Sequence, residues 1–257
     1  MSVNDKVATI VPRQHLNLLE DHRYFMALSY AYDNKYAEFF QHQTRQGKFV
    51  ILDNSAIELG EPEPFVDYLS KAGLMQASEI MLPDHFERPQ QTLTTAMGIL
   101  ETYGDVIRKS GFSVMVIPQG RYPKQWFLNM RELSNLCDYW LGRKPTIGIS
   151  YRYNDMFGGR RDVPARQAVE TGHNVHLLGC KEDPRSHIAP LLSQPGIRGV
   201  DSSYPSIYAA HGLQLNPDDF GRSRPPRNVN FLQDIYEDSL LKYNIDAWRK
   251  ACEYATL

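Results

Sequence analysis

Cysteine is scarce in this chain. Cys137, Cys180 and Cys252 are three thiols in 257 residues, widely separated and without a CxxC pair. Such usage excludes a disulfide framework and a zinc clamp, and it points to a reducing compartment. Long apolar runs are missing as well. No window approaches the roughly 18 apolar residues of a membrane span, and the short apolar stretch after Lys6 is too brief for a signal segment. Neither charge dominates, since 28 Lys and Arg stand against 30 Asp and Glu for a net charge of −2. A globally basic nucleic-acid coat protein is thereby excluded, and any polyanion contact must be a local patch. No GxGxxG follows the first apolar run and no GxxxxGK[ST] occurs, which weighs against dinucleotide and nucleoside-triphosphate sites. His85, His173, His176 and His211 show no HxxxH or HExxH spacing and read as structural. The expectation is a soluble cytoplasmic protein without metal or cofactor.

What the chain does have is a 42% hydrophobic content, enough for one substantial core. Short β-branched or aliphatic runs recur at Val7 to Val11, Phe49 to Asp53, Glu79 to Pro83, Ser113 to Pro118, Thr146 to Ser150, Asn174 to Gly179 and Ile197 to Asp201. Each reads as a strand covered on both faces. Helix-length segments separate them, with apolar residues three and four apart, as in Pro64 to Leu74, Gln90 to Tyr103 and Val163 to Thr171. Alternation of this kind implies parallel β/α units. With an eighth strand near Tyr24 to Tyr30 or Gly212 to Leu215, the pattern predicts a single-domain (β/α)8 TIM barrel over residues 1–257. Two terminal helices are expected from about residue 228, one carrying Phe231, Leu232, Ile235, Leu240 and Leu241, the other running from Asp246 to Tyr254.

In parallel β/α folds the chemistry gathers at the carboxyl ends of the strands. Those ends read Leu52-Asp53-Asn54-Ser55, Leu82-Pro83-Asp84-His85, Ile117-Pro118-Gln119-Gly120, Gly148-Ile149-Ser150, Leu177-Leu178-Gly179-Cys180 and Gly199-Val200-Asp201-Ser202-Ser203. Three acids, an amide and two glycine-containing turns fall in equivalent places. Carboxylates and an amide can satisfy the edge of a flat heteroaromatic ligand, and glycines let backbone groups approach it. A further carboxylate could attack an anomeric carbon or stabilise an oxocarbenium-like transition state. Asp53, Asp84 and Asp201 are the candidate acids, and Gln119, Gly148 and Gly179 complete the candidate pocket, with Asn54, Gly120, Ser150, Ser202 and Tyr204 beside them.

The ordered series DNSA, LPD, PQG, GIS, HLLG and GVDSS, spanning about Phe49 to Tyr204, resembles the barrel of the tRNA-guanine transglycosylase superfamily. It is most similar to the smaller relatives that place 7-deazaguanine bases into DNA. The resemblance implies that Asp53 begins the reaction, that Asp84 and Gln119 hold the base edge, and that Gly148 and Gly179 contact the base through their backbones. It implies Asp201 as the covalent nucleophile on the sugar C1′. Tyr204 stands where the tRNA enzymes carry a second acid, and three scattered cysteines cannot build their Cys3His zinc subdomain.

Two basic segments could neutralise phosphates at the barrel mouth: Arg222, Arg224 and Arg227 in GRSRPPR, and Arg152, Arg160 and Arg161 around Gly158-Gly159. Tyr151, Tyr153, Tyr204 and Tyr208 could stack on bases withdrawn from a duplex or presented on a single strand. The sequence therefore predicts an enzyme cleaving the N-glycosidic bond of a nucleobase in DNA, with RNA as the other candidate polymer and a free nucleobase as the partner in base exchange. Hydrolytic excision to an abasic site is the alternative outcome. A non-catalytic nucleic-acid-binding barrel and a small-metabolite barrel enzyme are the readings from other classes.

Overall fold

Apolar runs too short for helices become strands wherever both faces can be covered, and this chain supplies eight of them. They are β1 Val7–Thr9, β2 Tyr24–Leu28, β3 Phe49–Asp53, β4 Glu79–Met81, β5 Ser113–Val116, β6 Thr146–Ser150, β7 Val175–Leu178 and β8 Ile197–Ser202. The computed structural model describes residues 3–180, 183–216, 220, 225 and 229–253. Every strand pair is parallel, in the order β1-β8-β7-β6-β5-β4-β3-β2. β1 lies beside β2 and closes the ring without a regular ladder among the described residues. The result is a nearly closed (β/α)8 barrel, and the eighth strand is the first of the two alternatives read from the sequence.

The helices between strands are α1 Asn34–Arg45, α2 Ala56–Leu59, α3 Phe65–Met75, α4 Pro89–Ser110, α5 Pro123–Leu141, α6 Asp162–Glu170 and α7 Ala189–Leu192, and α8 Tyr204–Ala210 and α9 Asp238–Glu253 follow β8. Local chemistry sets their limits. Asp33 caps α1, its Oδ1 accepting the Tyr36 N–H at 2.8 Å. Proline opens α4 and α5 at the first turn, where its missing N–H costs nothing. The two expected terminal helices are one. Asn230 and Asp234 close tight turns around Phe231, with the Asn230 N–H donating to Asp234 Oδ2 at 2.7 Å, so helix begins only at Asp238 and Ile235 is left 75% exposed.

Each strand divides its side chains between two cores. Phe25, Val50, Leu52, Ile80, Val114, Ile147, Leu177 and Val200 face the helices. Ala8, Tyr24, Met26, Ile51, Met81, Met115 and Ile117 fill the barrel interior. At the closed end the interior is polar: Arg198 pairs with the fully buried Glu79, whose other oxygen accepts the Thr146 hydroxyl at 2.7 Å. A register irregularity makes this possible. Val175 pairs with Ile197 but His176 pairs with Gly199, so β8 bulges at Arg198. An extra residue lets β8 direct Arg198, Gly199 and Asp201 inward, where strict alternation would turn one of the first two toward the helices.

Removing the cation from this pair leaves a buried carboxylate without its partner. Arg198→Ala is expected to lower the unfolding free energy by about 3–5 kcal/mol, and adding Glu79→Gln to that variant should recover most of the loss. Urea midpoints of the two variants check this; an unchanged midpoint for Arg198→Ala would remove the pair from any account of stability.

Candidate active site

Asp53 ends β3, and the next two residues turn the chain by side-chain chemistry. Asp53 Oδ1 accepts the Ser55 N–H at 3.2 Å and Asn54 Oδ1 accepts that of Ala56 at 3.0 Å, two successive Asx turns. They hold Ser55 at φ +53°, a left-handed conformation that costs a non-glycine residue energy. Its hydroxyl accepts the Tyr30 N–H at 3.2 Å. Tyr68 braces the same region from behind, donating to the Leu52 carbonyl at 2.6 Å and accepting the Met81 N–H at 2.8 Å. Glu87, on the loop after β4, is likewise at positive φ (58°), and its N–H is taken by Gln119 Oε1 at 3.1 Å. Strain of this kind concentrates at functional mouths.

Asp84 and Gln119 meet across the ends of β4 and β5. Gln119 Nε2 donates to Asp84 Oδ2 at 2.6 Å and to the Ile117 carbonyl at 3.3 Å, while its Oε1 accepts the Glu87 N–H and the Tyr153 hydroxyl. The Gln119 amide is thus fully engaged in holding Asp84. Asp201, on β8, receives two donors on one oxygen: the Gly179 N–H and His176 Nε2 each lie 3.0 Å from Oδ1. Gly179 is required there twice over, because its φ is +62° and a Cβ would lie 2.7 Å from the Tyr151 ring.

The electrostatics separate the acids. Burial pushes the Asp53 carboxyl up to about 8, and the charges of Glu58 and Asp201 push the same way. Asp84 rises to about 6 through burial, held back by hydrogen bonding to Asn54 and by the Arg152 charge. Asp53 therefore carries a proton at neutral pH and can donate it.

One cavity of about 1190 Å³ joins these groups at the carboxyl ends of the strands. Asp53, Asn54, Asp84, Gln119, Ser150, Gly179, Asp201, Ser202 and Tyr204 line it, and so do Glu58, Phe86, Arg88, Tyr151 and Arg152. Other sequence candidates go elsewhere. Gly148 lies a layer below, where a Cβ would strike Leu178 and Met115, so it serves interior packing. Gly120 fits against the Trp126 backbone instead of the cavity. Arg161 is a correction to the phosphate-binding expectation: buried to 3% exposure, it donates to the carbonyls of Ile149, Leu178 and Gly179 and ties two strand ends together. Arg160 pairs with Asp162 at 3.1 Å, away from the cavity. Arg222, Arg224 and Arg227 lie outside the described residues. Tyr204 stacks on Trp248 with ring centres 5.5 Å apart, and Tyr153 and Tyr208 are buried, so none of the three offers a free face to a base.

The sequence reading missed several participants. His176, set aside as structural, touches Asp201, and its Nδ1 lies 2.7 Å from the Tyr24 hydroxyl. Phe86, 44% exposed at the cavity rim, carries the Arg152 guanidinium 5.0 Å from its ring centre. The available signal was a titratable side chain inside each of three apolar runs, Glu79, His176 and Arg198, because such groups enter an interior only with partners. Among the described residues, no three His, Cys, Asp or Glu side chains gather in a way that could hold a metal ion, and no helix is long and apolar enough to cross a membrane.

The sequence matches no protein-family model and no curated protein. Solved structures share its fold. An AP endonuclease, family 2, from Brucella melitensis superposes with a TM-score of 0.51 at 12% identity, covering 77% of this chain and 92% of its own. An N-acetylneuraminate lyase from Mycoplasma synoviae gives 0.51 at 10% identity over 99% and 97%. Identities of this size establish the barrel alone.

The raised carboxyl of Asp53 sets the sign of a pH dependence. Between the ordinary value of 3.8 and about 8 the folded chain keeps a proton that the unfolded chain has released. The stabilisation is complete below about pH 4 and is lost as pH rises through 8, at up to about 1.4 kcal/mol per pH unit. Asp84 adds to the slope only up to about 6. Urea denaturation at pH 6 and pH 8 should show a steeper loss for the native chain than for Asp53→Asn; equal losses would mean that the carboxyl is ionised at neutral pH.

Proposed function

We propose that this barrel is an enzyme that cleaves the N-glycosidic bond of a nucleobase in DNA. The observation that carries the reading is the placing of two carboxyl groups in one cavity in different surroundings: burial beside Glu58 pushes the Asp53 carboxyl up to about 8, while Asp201 is fixed by two donors on a single oxygen. That pairing suits glycosyl transfer, where one acid protonates the departing group and the other engages the sugar. Asp53 gives its proton to the base nitrogen as the C1′–N bond breaks and its electron pair leaves with the base. Asp201 Oδ2, which has no hydrogen-bond partner among the described residues, forms the bond to C1′.

The transglycosylase resemblance supports base exchange as the completing step. A second base attacks C1′, Asp201 departs as carboxylate, and Asp53 takes up the proton of the incoming N–H. Hydrolysis is the second reading, favoured by Tyr204, which stands buried against Trp248 where the tRNA enzymes have another acid. Water then captures the sugar and leaves an abasic site. Asp84, positioned by Gln119, faces the base edge in either case. Phe86, Arg152 and Tyr151 at the rim supply a stacking surface and a phosphate partner for a nucleotide drawn out of its strand.

Single-turnover reactions with DNA oligonucleotides carrying unmodified or 7-deazaguanine bases, and with matching RNA, should release free base from DNA. Asp201→Asn should abolish release, a loss of at least about 10³-fold. Retained sugar-phosphate integrity with an added base marks exchange, whereas alkali-labile sites mark hydrolysis. The kcat/KM profile should be bell-shaped, failing below about pH 6 as Asp84 takes up a proton and above about pH 8 as Asp53 loses one. No base released from any of these polymers would reject the proposal.

A further inference from the structure

A line of polar groups runs through the barrel interior from its closed end to Asp201. Glu79 and Arg198 form the buried pair beneath. The Arg198 guanidinium lies over the Phe49 ring, 4.7 Å from its centre, and its charge acts on the Tyr24 hydroxyl. That hydroxyl is 2.7 Å from His176 Nδ1, and His176 Nε2 is 3.0 Å from Asp201 Oδ1. Tyr24 and His176 are shut off from solvent, at 2% and 0% exposure. Phe49 stacks on Tyr24 at 5.6 Å. Gly199 leaves the space for the Tyr24 ring, since a Cβ there would run into that ring and would sit 2.6 Å from the Lys6 carbonyl oxygen.

The hydrogen-bond directions follow from this order. Asp201 Oδ1, which accepts the Gly179 N–H, accepts from His176 Nε2 as well, so Nδ1 of the neutral ring takes the Tyr24 O–H. An imidazole accepting at Nδ1 carries its proton on Nε2, and that N–H points at Asp201. The opposite tautomer would set two lone pairs against each other at 3.0 Å. Resting on the reaction proposed above, we infer that His176 is a positioning residue for Asp201, held in its Nε2–H tautomer by Tyr24. Its N–H and that of Gly179 occupy Oδ1, which fixes the carboxylate plane and reserves Oδ2 for the sugar carbon. Neither His176 nor Tyr24 touches the substrate. They set the angle at which the attacking oxygen meets C1′, and errors of about 1 Å in such placement cost about 10²-fold in rate.

The test combines a spectrum with a rate. In uniformly ¹⁵N-histidine-labelled protein, long-range proton–nitrogen correlation should show one neutral histidine in the Nε2–H form, absent from His176→Gln, whose Nδ1 resonance moves in Tyr24→Phe. Tyr24→Phe should also lower the single-turnover rate of base release by about 10- to 100-fold while leaving the oligonucleotide Kd within about twofold. An Nδ1–H tautomer in the native chain overturns the inference, and so does an unchanged Tyr24→Phe rate. If the native chain releases no base, the reaction reading fails by itself, and the tautomer still decides whether the relay exists.

Discussion

The buried pairing of Arg198 with Glu79 is the constraint on which the interior depends. Two charges inside a barrel filled with methionine and isoleucine are tolerable only together, and satisfying them dictates much of what surrounds them. The bulge in β8 turns Arg198 inward, Thr146 takes the second oxygen of Glu79, and the Phe49 ring packs against both the guanidinium and Tyr24. From Tyr24 the arrangement is handed to His176 and then to Asp201. The buried pair at the closed end and the carboxylate at the open end thus belong to one line of buried side chains.

At that open end the environments of the acids diverge although all belong to one cavity. Asp53 sits buried at the end of its strand, beside Glu58, with the Ser55 amide as its one hydrogen-bond donor among the described residues, and its carboxyl is pushed up to about 8. Asp84 is engaged by a fully committed glutamine and sits within reach of the Arg152 charge. Asp201 is met by two N–H donors. Identical side chains placed by the same barrel geometry thus acquire different hydrogen-bonding and electrostatic surroundings through their neighbours alone.

Much of this was legible in the sequence and some was not, for physical reasons. The limits of β3 and β6 follow from their apolar runs, Phe49–Asp53 and Thr146–Ser150, because nothing polar interrupts them. Asp53, Asp84 and Asp201 were expected at one mouth, since parallel strands carry their following residues to a common end. β2 is one of two alternatives, and α5 falls in a helix-length segment between two expected strands whose limits the sequence reading leaves open. The terminal segment was read as two helices because spacing cannot register the Asn230–Asp234 turns. His176 was passed over because its significance rests on a register shift between β7 and β8, which no local pattern encodes. Arg161 looked like a surface cation; only the tertiary fold shows that three carbonyls at the ends of β6 and β7 converge on it.

The seam of the barrel carries a consequence of its own. β1 is hydrogen-bonded to β8 on one side and, among the described residues, lies beside β2 without a ladder on the other, so the peptide lattice that ties Asp201 to its neighbours stops there. Asp53 stands on the far bank, one strand beyond β2. Sliding of the two banks would alter the gap between the carboxylates without breaking a single ladder bond. Tyr24 opposes that slide: rooted in β2, its ring is wedged over Gly199 and its hydroxyl is bonded into β7, so it acts as a rivet through the one open joint of the cylinder.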